Sequence, residues 1–143
     1  MNAIEHDSKR QIVEIFYAAM STGDSTLLDR ALSPDWVDRT LPPGRQPGRE
    51  GIRQALKVLR TAMPDLLCTV QEMFFDGDKA IARIVFSGTH TGKFLSAPAT
   101  GQPIKFIAFD IHRIHAGQIV ESWHLEDNLA LFQQTGLIPP LSG

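Results

Sequence analysis

The hydrophobic period of this chain changes at Pro64, and that change limits the folds open to it. Before Pro64 apolar residues recur three and four apart. Ile12, Val13, Ile15, Phe16, Ala19 and Met20 form one such stripe, and Ile52, Ala55, Leu56 and Leu59 form another. After it, "LLCTVQEMFF", "KAIARIVFSGTH", "PIKFIAFDIHRIH" and "QIVESWHLE" are runs of β-branched and aromatic residues. Helices first and antiparallel strands second is the α+β arrangement. A chain of 143 residues is long enough for one substantial core, so a single domain over 1–143 is expected.

Local signals set the boundaries. Ser8 and Gln11 form a capping box, which predicts a first helix running from there to the stop at Gly23. A short helix is predicted over Ser25 to Leu32, ended by "SPD". The segment "DRTLPPGRQPGRE", with three prolines and two glycines, reads as a loop. A third helix is expected from about Arg49 and cannot pass Pro64. The turns "DGD" and "AG" make two hairpins of the four strands, and "TGKFLSAPATGQ" is a long loop between them. Asp127 is the predicted N-cap of a last helix, "NLALFQQ", stopped by Gly136.

Composition removes several partners. The net charge is -2 and no basic run occurs, which leaves no electrostatic footprint for nucleic acid or an anionic membrane. No apolar run is long enough to span a bilayer, and the polar start "MNAIEHDSKR" does not resemble a signal peptide, so a cytoplasmic protein is expected. The single cysteine, Cys68, sits in a strand-like run and reads as a core residue.

The informative anomaly is "FDIHRIHAGQIVESWHLEDN", where Asp110, His112 and His124 occupy strand positions. Residues two apart share a strand face. A three-residue loop with Gly117 in the bulge position sets Asp110 opposite Ser122 and diagonal to His124. A strict Ala116-Gly117 turn sets it opposite Trp123 instead. Ala116 is poorly suited to the positive φ of the tighter turn, which favours the first register. That register gathers Asp110, His112, His124 and Glu126 on one face, with Ile107, Phe109, Ile111, Trp123 and Leu125 on the other. His112, His115 and Glu126 are expected near solvent, at the turn or the sheet's end.

"FYAAMSTGD", "SPDWVD", "GTHTGKFLSAPATGQPI" and "FDIHRIHAGQIVESWHLEDNLALFQQTG" together resemble the SnoaL-like polyketide cyclases, within the nuclear-transport-factor-2-like superfamily. The resemblance runs from about Arg10 to Gly136. It implies a cone-shaped α+β barrel, in which a curved antiparallel sheet wraps around the N-terminal helices and encloses a hydrophobic pocket. It also implies a dimer or tetramer joined through the sheet, and aldol-type ring closure by a carboxylate without metal or cofactor. In the family that carboxylate stands seven residues after the hairpin glycine, here His124, and a histidine stands seven before it, here Asp110. The pair is kept with its members exchanged. The family's pocket asparagine corresponds to Asp38 and a further pocket histidine to His90.

Asp110 and His124 are therefore the candidate catalytic residues, and Asp38, His90, Trp36 and Phe94 the candidate substrate-binding ones. A carboxylate that accepts from one imidazole nitrogen fixes the tautomer and raises the basicity of the other. The plainer reading is a mutually satisfied buried pair, with Trp36 and Phe94 as packing residues. Asp110, His112 and His124 also have the residue types of a two-histidine, one-carboxylate metal triad, although the stagger along the sheet separates the two histidines. The favoured expectation is a cofactor-independent cyclase or isomerase acting on a small apolar, polyketide-like carbonyl compound. A hydrolase using the same pair on water, or a non-catalytic small-molecule-binding module of the same fold, are the alternatives.

Overall fold

The computed structural model describes residues 3–141, so the first two and last two residues of the expected 1–143 domain lie outside the described residues. In order the elements are α1 (Ala3–Thr22), α2 (Ser25–Ala31), β1 (Leu32–Asp38), α3 (Gly48–Ala62), β2 (Leu67–Asp76), β3 (Lys79–Thr89), β4 (Pro103–His115), β5 (Gln118–Glu126) and α4 (Asn128–Thr135). The strands form one open five-stranded sheet in the order β1-β5-β4-β3-β2. The α+β cone expected from the sequence is present, with the sheet open rather than closed. Three of its pairings are antiparallel, but β1 joins β5 in parallel, so the sheet is mixed.

Strand β1 is the element that sequence patterning missed. Ser33-Pro34-Asp35 reads as a helix stop, and only Leu32 and Trp36 of the strand are buried. Pro34 is tolerated because β1 is an edge strand whose pairing slips between Leu32 and Val37. At the chain's start α1 begins at Ala3, which puts Ser8 inside the helix and removes its capping role. The stripe on α1 still decides packing, since Val13, Phe16, Tyr17, Ala19 and Met20 are all buried. The predicted cap of α4 is present, with Asp127 accepting from Ala130 N at 3.1 Å.

The inner face of the sheet carries the core. Along β3 and β4 burial alternates at the strand period, with Ala80, Ala82, Ile84 and Phe86 turned inward on β3. Facing them on β4 are Ile104, Phe106 and Ala108, and Phe86 stacks on Phe106 at 4.8 Å. Helix α1 lies against β2, and α3 against β1. No described helix is long and apolar enough to cross a membrane.

The β4–β5 hairpin decides which chemistry faces inward. Ala116 and Gly117 both adopt positive φ, 50° and 77°, as a two-residue turn of the mirror-image type requires. His115 pairs with Gln118 and Ile114 with Ile119, but Arg113 pairs with Glu121, so Val120 is an extra residue in a β-bulge. The expected three-residue loop is thus replaced by a tight turn followed by a bulge. The turn alone would have put Asp110 opposite Trp123. The bulge shifts the ladder one more residue, and Asp110 pairs directly with His124 and His112 with Ser122. Parity is restored, so the inward set is the one predicted, in closer register.

Ala116 holds a left-handed conformation that costs an L-residue with Cβ about 1–2 kcal/mol. Ala116→Gly or Ala116→Asn is therefore expected to stabilise the protein by about 0.5–1 kcal/mol in urea denaturation. An unchanged or lower midpoint for both variants would contradict this turn assignment.

Candidate functional site

A cavity of about 440 Å³ lies between the inner face of the sheet and helices α1, α3 and α4. Apolar side chains form most of its wall: Phe16, Met20, Leu56, Phe86, Phe106 and Leu131. Its polar members gather on β4 and β5, where Asp110, His112, Ser122, His124 and Glu126 line one side. The mouth is edged by the Pro42–Arg45 loop, Leu95 and Asn128, all at least partly exposed. An apolar hollow with a few convergent polar groups has the character of a small-molecule site.

Two hydrogen-bonded groups divide the polar wall. In the first, Tyr17 donates its hydroxyl to Asp110 Oδ2 at 2.7 Å and lies 2.9 Å from His112 Nε2. His112 Nδ1 lies 2.7 Å from Ser122 Oγ, which accepts from the Trp36 indole at 3.0 Å. All five residues are within the core, Asp110 at 5% exposure and His112 at 1%. In the second, His124 Nε2 donates to Asp38 Oδ2 at 2.8 Å and His124 Nδ1 to Glu126 Oε1 at 2.7 Å.

These environments push the titrating groups apart. Burial drives the Asp110 carboxyl up to about 7, against the opposing pull of the Tyr17 hydroxyl. Burial opposes a charge on His124, but its two carboxylate partners outweigh that and raise it to about 10. His112, enclosed and near the charge of His124, falls to about 3 and is neutral. The 3.8 Å approach of His112 to Asp110 is consequently not an ion pair. Burial also raises the Cys68 thiol, in keeping with a core role.

Several expectations are corrected. Asp110 and His124 face each other across the strands, but their expected mutual hydrogen bond is not made. Asp38 takes the place of Asp110 as the partner of His124. Asp38 lies behind His124 and outside the cavity wall, and Thr40 N also donates to it at 3.0 Å. His90 is fully buried away from the cavity, with Nδ1 3.0 Å from Thr100 Oγ1, and braces the long loop. Trp36 and Phe94 do line the cavity. His112 is buried rather than exposed, because the alternation of β4 continues to the turn and places it under Phe16 and Tyr17 of α1. Glu126 is engaged rather than solvated, whereas His115 is exposed as expected. The metal-triad arrangement is not formed: the ring nitrogens of both histidines are taken by separate partners. Tyr17 was missed, although a lone hydroxyl on the Val13–Phe16–Met20 stripe is a legible signal.

An open α+β cone around an apolar cavity is the architecture of the nuclear-transport-factor-2-like class. Within it this chain belongs to the SnoaL-like polyketide cyclase family, whose profile matches residues 10–135. A candidate polyketide cyclase from Bacillus cereus ATCC 10987 is 37% identical, with 96% of this chain and 87% of that one covered and a TM-score of 0.85. TsrD from Streptomyces laurentii is 33% identical, with 96% and 99% covered and a TM-score of 0.82. IdmH from Streptomyces antibioticus, a candidate polyketide cyclase, is 31% identical, with 90% and 98% covered and a TM-score of 0.78. Comparison with curated proteins gives no match. Family membership supports a cyclase- or isomerase-type role in general.

The raised Asp110 has a cost in stability. A carboxyl near 3.8 when unfolded and about 7 when folded binds its proton more tightly in the native state. Stability therefore falls as pH rises between those values, and the loss is complete above the upper one. Asp110→Asn is expected to be more stable than the parent at pH ~8, by about 2 kcal/mol, and to show little gain at pH ~4. Urea denaturation at the two pH values measures this, and an equal effect at both would contradict it.

Proposed function

We propose that the protein is a cofactor-independent cyclase or isomerase in which Asp110 moves a proton next to a carbonyl of a small apolar substrate. The observation that carries this is the state of Asp110. It is a buried carboxyl titrating near neutral pH, with Oδ2 held by Tyr17 and Oδ1 without a hydrogen-bond partner among the described residues. A base of that kind balances the fraction ionised against proton affinity at working pH. His124 does not fit the same role, because both of its nitrogens donate to carboxylates and it stays protonated. Of the exchanged family pair, the carboxylate keeps the proton-transfer task, from the opposite strand.

Chemically, ionised Asp110 removes the proton from a carbon flanked by carbonyls, and the bonding pair delocalises onto a carbonyl oxygen as an enolate. The imidazolium of His124 offsets that developing charge from across the ladder. In ring closure the enolate carbon forms a bond to a second carbonyl carbon of the same molecule. The resulting alkoxide takes up a proton, which Asp110 returns. In isomerisation the proton goes back to a different carbon. The apolar walls of Phe16, Phe86 and Phe106 favour a substrate with a hydrophobic body and exclude water from the enolate.

Hydrogen–deuterium exchange on an aryl poly-β-ketoester in D₂O tests this without knowledge of the natural substrate. Exchange is expected to rise with pH through about 7 as Asp110 ionises, and to fall near 10 as His124 loses its charge. Asp110→Asn is expected to lose about 10²-fold or more. Undiminished exchange by Asp110→Asn would sink the assignment, and no catalysed exchange by the parent would favour a binding module.

The outer face of the sheet is where we place a second copy of the chain. Ile107, Phe109, Ile111 and Leu125 are 42%, 51%, 36% and 76% exposed there. Neighbouring charges are already matched within the chain, Arg83 with Glu72 and Arg113 with Glu121. A face of that kind suits an isologous apolar contact with a copy of itself, as the family resemblance implies. Ile107→Glu is expected to shift sedimentation equilibrium to the monomer; a parent that is already monomeric at micromolar concentration rules the contact out.

A further inference from the structure

We infer that Trp36, Ser122, His112 and Tyr17 form a one-way donor chain that positions Asp110 and makes Oδ1 the oxygen that exchanges the proton. This rests on the reading of Asp110 as the acid–base group and adds the four residues that aim it.

The direction of the chain follows from its fixed end. The Trp36 indole N–H can only donate, and its acceptor is Ser122 Oγ at 3.0 Å. The Ser122 oxygen has one other partner, His112 Nδ1 at 2.7 Å. If the serine hydroxyl donates to that nitrogen, His112 carries its single proton on Nε2. Nε2 then donates to the Tyr17 oxygen across 2.9 Å, and Tyr17 donates to Asp110 Oδ2 across 2.7 Å. Every hydrogen in the chain has an acceptor.

The reverse arrangement fails at one atom. With the proton on Nδ1, both His112 and Trp36 would donate to Ser122 Oγ. The buried serine hydroxyl hydrogen would then have no acceptor among its contacts, in a site where Ser122 is 2% exposed. Satisfaction of the network therefore selects one tautomer. Oδ2 is occupied by a donor that has nowhere else to turn, and Oδ1, buried and without a hydrogen-bond partner among the described residues, is the oxygen left to take a proton.

The chain draws on four separate elements: α1 supplies Tyr17, β1 Trp36, β4 His112 and β5 Ser122. It also crosses the sheet from its edge strand to the centre. The groups acting electrostatically on the carboxyl of Asp110 are Tyr17 on α1, Asp38 on β1, and His124 and Glu126 on β5. Among them Tyr17 is the hydrogen-bond donor, so its removal acts on the ionised form directly.

The test uses the full-length protein labelled with ¹⁵N-histidine and ¹³Cγ-aspartate. In the unsubstituted protein the His112 ring is expected to be neutral and protonated on Nε2 throughout the neutral pH range. Tyr17→Phe is expected to raise the Asp110 midpoint by about one to two pH units, the worth of a hydrogen bond to a charged group. Trp36→Phe frees the serine to turn and is expected to give a mixture of His112 tautomers. A proton on Nδ1 in the unsubstituted protein overturns the proposal, as does an Asp110 midpoint unmoved in folded Tyr17→Phe. The tautomer reading requires no variant to fold and no turnover. A protein with the Nε2 proton but no carbonyl-proton exchange would therefore refute the proposed function and leave the donor chain standing.

Discussion

Burial of one carboxyl on the inner face of a sheet is the constraint that organises this protein. Asp110 occupies a position where the alternation of β4 otherwise places Ile104, Phe106 and Ala108. Leaving an ionised group there would be costly, and the surroundings answer in two ways. Tyr17 supplies one donor, and incomplete solvation keeps the proton affinity high. The apolar wall that makes the cavity greasy thus also brings the titration of the carboxyl near neutral pH. Cavity and raised carboxyl are consequences of the same desolvation.

The second polar group has the opposite electrostatic character. His124 lies across the ladder from Asp110, yet two carboxylates hold its proton so firmly that it acts as a fixed cation. Facing residues on adjacent strands are therefore both raised, Asp110 by burial to about 7 and His124 by its carboxylate partners to about 10. One titrates near neutral pH and the other keeps its charge there. Such a division of roles by environment is the usual mark of an acid–base site.

Both groups depend on a single bulge. The Ala116-Gly117 turn and the extra Val120 each shift the β5 register by one residue, and together they return His124 and Ser122 to the inner face. Without the bulge Trp123 would face Asp110, and the donor chain through Ser122 could not form. A strained alanine at the turn is consistent with a hairpin whose register matters more than its local stability.

The sequence by itself determined the α+β class, all four helices and the four strands after Pro64. It also identified the inward set of Asp110, His112, His124 and Glu126. These depend on local periodicity and turn chemistry, which neighbouring residues specify. It did not reveal β1, because Pro34 and a half-exposed pattern hide an edge strand that only parallel pairing with β5 stabilises. Nor did it reveal which side chains bond within the inward set. That choice was made by Asp38 and Tyr17, 86 and 93 residues away along the chain from His124 and Asp110. Contacts over such separations leave no local pattern, so only the packing of α1 and β1 against the sheet could decide them.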